Sequence, residues 1–171
     1  MKKVLIFAGA VSALALASTP AMAAAPVTKQ ANAQAKIFRP LTLTKNTDLD
    51  FGTIVIAGTS FTGEDVHVDQ SGAVATCGGG TNLVCSDPTT AANFTVIGTN
   101  NQTVTLTVPA TVTLNGSNGG SLDMAVDAPA SVALGASGNS GVDFGIGGTL
   151  TIDSSTVDGV YTAQFDVTAE Y

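Results

Sequence analysis

The chain has 171 residues, a length typical of one domain, with 11% charged residues, 5% aromatic residues and no Trp. Its 19 Gly and 24 Thr favour short strands joined by turns, and its low charge content argues against long amphipathic helices. An apolar content of 44% is enough to form a buried core, which argues against a disordered chain.

The charges are divided along the chain. The net charge is −7, and beyond residue 3 the cations are confined to Lys29, Lys36, Arg39 and Lys45. All 13 acidic residues lie from Asp48 onward, so the body lacks the basic surface that nucleic acid requires. The division is either chance or the sign of a basic arm that docks on an acidic neighbour.

Residues 1–23 have the pattern of a secretory signal peptide. Lys2 and Lys3 precede an apolar stretch from 4 to 17, and small residues precede a cleavage site after Ala23. An uncleaved anchor helix is the alternative. We therefore expect export to the periplasm in transit, and then to the cell surface, a fimbrium or the medium.

Two cysteines, Cys77 and Cys85, lie in the exported part. In an oxidising compartment they should form a disulfide across the Gly-rich loop between them. A metal site is the alternative interpretation, but His67 is the only histidine in the chain, so few further ligands exist.

The first predicted element is an extended segment from residue 27 to residue 37. Its odd positions are mostly apolar and its even positions are polar, which is typical of a strand with one apolar face. We predict that it is a donor strand, one that is added to the sheet of another chain. Its apolar residues are Val27, Ala31, Ala33, Ala35 and Ile37.

The rest of the chain predicts about nine short strands separated by turns. This pattern predicts an all-β fold, an immunoglobulin-like antiparallel β-sandwich that an N-terminal donor strand would complete. We expect a signal peptide at 1–23, an N-terminal extension at 24–40 and the sandwich domain at 41–171. The predicted strands cover 41–44, 51–58, 93–98, 102–108, 111–114, 122–126, 131–134, 142–153 (with a break at its glycines) and 160–171, and two weak strands are predicted at 65–69 and 73–76.

The last predicted strand, 160–171, has a strongly apolar face at its odd positions. We expect no later strand to cover this face, so the N-terminal strand of another copy would cover it by β-strand addition. The predicted acceptor edge consists of Tyr161, Phe165, Val167 and Tyr171. A contact of this kind does not close on itself and produces a filament.

The segments PLTLTKNTDLDFGTIVIAG, NFTVIGTNNQTVTLTVPATVTL and DGVYTAQFDVTAEY resemble the bacterial domain-of-unknown-function 4402 family, secreted proteins often labelled fimbrial major-subunit-like. The ending also resembles the pilins of chaperone–usher systems, in which a Gly precedes a penultimate Tyr by twelve residues. Gly159 and Tyr171 have this separation, although this Tyr is the last residue. The resemblance implies a fibre subunit whose partners are copies of itself, a periplasmic chaperone and an outer-membrane usher.

Residues capable of catalysis are scarce. Histidine-dependent catalysis would rest on His67 alone, in a predicted exposed strand, where a surface histidine is the simpler interpretation. Glu64, Asp65 and Asp69 could bind Ca²⁺ but lack the spacing of a calcium loop, so a solvated acidic patch is favoured. We predict no enzymatic activity, no cofactor and no metal.

Two other functions are compatible with the pattern. One is a self-complete secreted immunoglobulin-like binding or adhesion domain, whose N-terminal strand folds back onto its own last strand. The other is a small outer-membrane β-barrel, against which the two Tyr, the absence of Trp and the short strands argue.

Overall fold

The computed structural model of the protein describes residues 24–171, except the side chain of Ser137. The predicted signal peptide and its cleavage site at Ala23 lie outside the described residues. Residues Lys36–Tyr171 form one compact unit. No helix in the described part of the chain has both the length and the apolar character needed to cross a membrane.

The regular structure of the described residues consists of β-strands, most of them short, as the Thr-rich and Gly-rich composition predicts. One 3-10 turn lies at Gly135–Ser137. The strands are β1 (Thr42–Thr47), β2 (Thr53–Ile56), β3 (Glu64–Val68), β4 (Val74–Cys77), β5 (Leu83–Ser86), β6 (Ala92–Ile97), β7 (Thr103–Thr107), β8 (Thr111–Gly116), β9 (Ser121–Asp127), β10 (Ser131–Ala133), β11 (Val142–Ile152), β12 (Tyr161–Thr162) and β13 (Thr168–Glu170).

The strands form three antiparallel sheets. The largest has the order β1-β6-β11-β9-β8-β12, with β3 also paired to β11 and β4 to β3. The second has the order β10-β7-β13, and β2 and β5 form a separate two-stranded sheet. The prediction of an all-β, sandwich-like fold is confirmed. Strand β5 is absent from the predicted strands, because its pairing with β2 is a long-range contact.

Two apolar cores stabilise the body, and β11 contributes to both. Phe144 and Ile146, in its first half, pack with β6, β7 and β10 in what we call the first core. Leu150 and Ile152, in its second half, pack with β3, β8 and β9 in the second core. Because β11 supplies side chains to both cores, it joins them into a single unit. Each fully buried aliphatic or Phe side chain contributes about 1.5–3 kcal/mol to the stability of the fold.

The predicted glycine break within 142–153 is wrong, because β11 is continuous and keeps its register with β6, β3 and β9. The glycines instead allow close backbone approach. A Cβ on Gly145 would collide with the carbonyl oxygen of Gln70, and one on Gly147 with that of Val68. The small residues are therefore explained by packing between strands and not by a bulge.

The C-terminal segment does not form the single strand that we predicted. It forms β12, paired to β8 in the main sheet, and β13, paired to β7 in the second sheet, and residues 163–167 belong to no strand. The segment divides because β8 and β7 lie in different sheets. Its alternation persists in part, since Tyr161, Phe165, Val167 and Ala169 are half-buried and the even positions are exposed, but Ala163 and Tyr171 are exposed too.

Candidate functional site

An open apolar groove of about 660 Å³ lies against the second core. One wall is the chain from residue 49 to residue 56, and the other is the chain from 156 to 165. An apolar floor between two separated walls is the shape that an additional strand or an apolar ligand fills. The floor consists of Leu114, Leu122, Met124, Leu150 and Ile152.

The first wall has an unpaired strand edge. Among the described residues β2 pairs only with β5, so its other edge has no strand partner, and β2 borders the groove whereas β5 contributes no residue to it. Ile54 and Ile56 of β2 line the groove and remain half-buried. Asp50, at the start of this wall, exchanges backbone hydrogen bonds of 2.9 and 3.0 Å with Thr90. The wall is thus anchored at its start and along β5.

The second wall is tied to the turn between β8 and β9. The backbone N–H of Ser117 donates to the carbonyl of Val160 at 2.9 Å, and the hydroxyl of Tyr161 donates to the carbonyl of Val157 at 2.6 Å. Val160 remains 70% exposed and Phe165 packs against both cores. This wall is therefore fixed at its start, and the residues that follow β12, 163–167, belong to no strand.

The predicted acceptor residues are separated in the structure. Tyr161 and Phe165 line the groove, whereas Val167 packs in the first core and Tyr171 lies at the other end of the segment. Sequence reasoning missed the wall at 49–56, because it predicted a strand at 51–58 without a groove beside it. Its β2 portion alternates between exposed and half-buried side chains, and this incomplete burial of an apolar strand is the signal of a missing neighbour.

Four residues form a contact that we call the clasp: Phe38, Arg39, Thr99 and Tyr171. The Tyr171 hydroxyl accepts from the backbone N–H of Thr99 at 2.7 Å and donates to the carbonyl of Arg39 at 2.8 Å. The N–H of Arg39 donates to the Thr99 hydroxyl at 2.7 Å, and the rings of Phe38 and Tyr171 stack at 4.9 Å. The clasp fixes where the N-terminal segment leaves the body.

The clasp and the groove lie at opposite ends of the body. Thr42, next to the clasp, pairs with Ile97, and Val96 pairs with Val142 at the start of β11. The groove floor includes Ile152 at the end of β11. At about 3.3 Å per residue, the two ends of β11 are roughly 33 Å apart. The body therefore has two different ends, a clasp end and a groove end.

The segment 24–37, which we call the arm, contains the predicted donor strand. It belongs to no strand, and all of its residues are exposed. Val27 is 86% exposed and Ile37 is 89% exposed. The predicted donor residues, Val27, Ala31, Ala33, Ala35 and Ile37, thus present their apolar side chains to solvent, where they are free to contact a partner.

A family model described as Domain of unknown function (DUF4402) matches residues 41–171. The chain belongs to this family. No curated protein and no solved structure matches the chain. The resemblance to DUF4402 seen in the sequence is thereby confirmed. The matched region of this DUF4402 protein contains the whole groove and Tyr171, and the arm precedes it.

The predicted disulfide of this DUF4402 chain is present. Cys77 and Cys85 are bonded, with Cα atoms 6.0 Å apart. Cys77 ends β4, which pairs with β3 of the main sheet, and Cys85 lies in β5 opposite Ile54 of β2. The bond therefore connects the two-stranded sheet that carries the first groove wall to the main sheet.

The other residues considered for chemistry do not converge. His67 faces Asp127 at 3.6 Å, whereas Glu64 accepts from the side-chain amide of Asn82 at 2.5 Å and Asp65 accepts from the hydroxyl of Thr151 at 2.8 Å. No group of three potential metal ligands lies together within residues 24–171. These side chains stabilise local structure on β3 and its neighbours.

Asp69 organises the turn between β3 and β4. Its carboxylate accepts from the Ser71 hydroxyl at 2.6 Å and from the backbone N–H groups of Ser71 and Ala73 at 2.8 and 3.1 Å. The hydroxyl of Ser71, and then the N–H of Ala73, lower the pKa of Asp69 below its ordinary value of 3.8. This carboxylate thus has a structural task in the turn.

Proposed function

We propose that this protein is a structural subunit of a bacterial surface fibre, in which the arm of one copy fills the groove of the next. The observation that carries the proposal is the pair of incomplete elements at opposite ends of one body. An apolar groove lies at one end, and an exposed, alternating arm begins at the other. Each element supplies what the other lacks.

The groove suits a strand in particular. The edge of β2 and the stretch 163–167 both present backbone that is not paired in a sheet. A strand between them would gain hydrogen bonds from backbone on both sides, and its side chains would cover the apolar floor. The alanines of the arm are small enough for a shallow site, so every second residue can face the floor.

The length of the arm favours a second copy over the chain's own groove. Following the strands from Arg39 to the near end of the groove requires about ten extended residues, or roughly 33 Å. The arm has 14 residues, so about four would remain for a groove that is about eight residues long. In the groove of a second copy, by contrast, the full length of the arm is available.

A series of such contacts has a direction and does not close on itself. Each subunit donates from its clasp end and accepts at its groove end, so the contact is heterologous and adds copies without closing. Export, a periplasmic chaperone and an outer-membrane usher are parts of the same proposal, since an empty apolar groove needs protection before assembly.

A self-complete secreted binding or adhesion domain is the second candidate. The clasp favours it, because residues 38–39 already contact the last residue of the same chain. The two candidates differ in oligomeric state. A stable monomer at high concentration, with an arm protected from proteases, would support the second candidate against the fibre.

Deletion of the arm tests the proposal. Protein lacking residues 24–37 should remain a folded monomer, because all the described strands and both cores lie from residue 41 onward. It should form no filaments by electron microscopy. Because it retains the groove, it should also cap growing ends, so a small fraction mixed with full-length exported protein should shorten the filaments.

A point variant gives a matched control for the deletion. Ala33→Pro removes a backbone donor in the middle of the arm and should abolish filaments, whereas Ala25→Pro, near the arm's start, should leave them. Filaments formed at unchanged yield by the deleted protein would refute the fibre proposal.

A further inference from the structure

We infer that the arm of a neighbouring copy lies antiparallel to the C-terminal segment, with Lys29 beside Asp50 and Lys36 beside Asp158. The inference rests on the proposed function and specifies the direction and register of the contact. It makes four charged side chains the determinants of how far the arm enters the groove.

The direction follows from the two ends of the body. The arm continues through Ile37 into its own body, so this end must emerge at the groove end of the accepting copy. Its N-terminal end then lies further inside. The accepting copy's C-terminal segment runs from Tyr161 at the groove end to Tyr171 at the clasp end. The arm and this segment therefore run in opposite directions, which permits an antiparallel ladder.

Two carboxylates mark the ends of the groove. Of the described residues that line it, only Asp50 and Asp158 are charged, and both are exposed. The position of Asp50 along the body follows from its neighbours. Asp50 forms a β-bridge with Thr90. Thr90 is two residues before Ala92, which pairs with Ile146 in the middle of β11. Asp50 thus lies at the inner end of the groove.

Asp158 lies at the outer end. Its carbonyl accepts from the side-chain amide of Asn118 at 2.9 Å, in the turn beyond the pair Leu114–Leu122. Counted along the paired strands, Asp50 and Asp158 are about eight residues apart, or roughly 26 Å. Lys29 and Lys36 are separated by about seven residues, or roughly 23 Å, in an extended arm.

The matched spans and opposite charges define one register. With Lys36 toward the mouth, each lysine reaches one carboxylate. Lys29 is on the same face of the arm as the alanines, so a two-residue slip would place its ammonium group over the apolar floor without a partner. Reversing the arm would place its connection to its own body inside the groove.

Paired cysteines in the full exported chain test the register. The variants Lys29→Cys with Asp50→Cys, and Lys36→Cys with Asp158→Cys, should each produce covalent ladders in filaments on non-reducing gels. The exchanged pairs, Lys29→Cys with Asp158→Cys and Lys36→Cys with Asp50→Cys, should produce none. Single-cysteine variants control for random cross-links, and peptide mapping separates new bonds from Cys77–Cys85.

The outcomes distinguish the register from the fibre. Ladders from the exchanged pairs, or filaments without ladders from the matched pairs, would overturn the register and leave the fibre proposal intact. Wild-type protein that forms no filaments would overturn both. Matched ladders within filaments would support both.

Charge reversal gives an independent measurement. Lys36→Asp should slow polymerisation by about threefold to tenfold, and Asp158→Lys in the same chain should restore the rate. Asp50→Lys should not restore it. Lys45→Ala is the control, because Lys45 pairs with Asp48 of its own body, so its removal should leave the rate unchanged. Restoration by Asp50→Lys instead would overturn the assignment.

Discussion

At the scale of single residues, Gly147 is required for the close packing of two strands. A methyl group there would collide with the carbonyl oxygen of Val68 and lie 2.7 Å from the carbonyl carbon of Asp69. These atoms belong to backbone and cannot rotate away as a flexible side chain can. The glycine therefore allows β11 to lie close to the end of β3. From the sequence alone we predicted a break in the strand at this position.

Gly147→Ala should destabilise the protein by about 1–3 kcal/mol, because the backbone must shift to accept the methyl group. Urea unfolding followed by circular dichroism measures this free energy. Gly79→Ala is the matched control, since no atom lies within 4 Å of its added methyl group, and it should change stability by less than about 0.5 kcal/mol. Equal stability of the two variants would contradict the packing role.

Features of single residues were predictable where they depend only on residues nearby in the sequence. The cysteine pair was correctly predicted, because the chain has two cysteines and the Gly-rich loop between them is short enough to close. The alternation of the C-terminal segment holds at Tyr161, Phe165, Val167 and Ala169 but not at the exposed Ala163 and Tyr171, because a period of two applies only while the chain stays extended against a covering surface. The clasp was not predictable, since its contact joins Tyr171 to residues far away in the sequence.

At the scale of elements, the two-stranded sheet β2–β5 forms a wall of the groove with few attachments. It has no strand partner besides its own two members within the part of the chain that the structure describes. The disulfide connects β5 to β4, and the bridge from Asp50 to Thr90 fixes the start of the wall. We expect this sheet to depend on the disulfide more than the main sheet does.

Replacing both cysteines with alanine should lower the free energy of unfolding by about 2–3 kcal/mol, the value expected for so short a loop. Amide exchange should accelerate most in β2 and β5 and least in β6 and β11. Polymerisation should slow, because Ile54 and Ile56 would no longer form a fixed wall.

Thr81→Ala controls for a change in the same loop that leaves the bond intact, and it should preserve the slow exchange of β2. If the double cysteine variant accelerated exchange uniformly over all strands, the idea of a wall anchored by the disulfide would fail.

At the scale of the whole molecule, positive and negative charges lie in different parts of the chain. The cations beyond residue 3 lie in the arm and the strand that follows it, and the acidic residues lie in the body. Lys45 is paired with Asp48 inside the body, so Lys29, Lys36 and Arg39 remain to attract a neighbour. Such long-range attraction steers encounters and is weakened by salt.

The rate of polymerisation should therefore fall as salt rises from about 0.1 M to about 1 M, since the screening length falls from about 10 Å to about 3 Å. Light scattering of exported, purified protein measures the rate. A variant with both Lys29→Ala and Lys36→Ala should show a much weaker dependence. A wild-type rate that salt does not change would make the charge division a coincidence.

From the sequence alone we predicted correctly the all-β class, the family resemblance, the disulfide and part of the alternating face of the C-terminal segment, and the division of charge along the chain is read directly from it. All of these depend on composition, short motifs or a period of two. The tertiary structure decided that β11 joins two cores, that the C-terminal segment divides between two sheets, and that residues 49–56 form a groove wall. Those features depend on which distant strands pair, and local periodicity carries no information about a strand's partner.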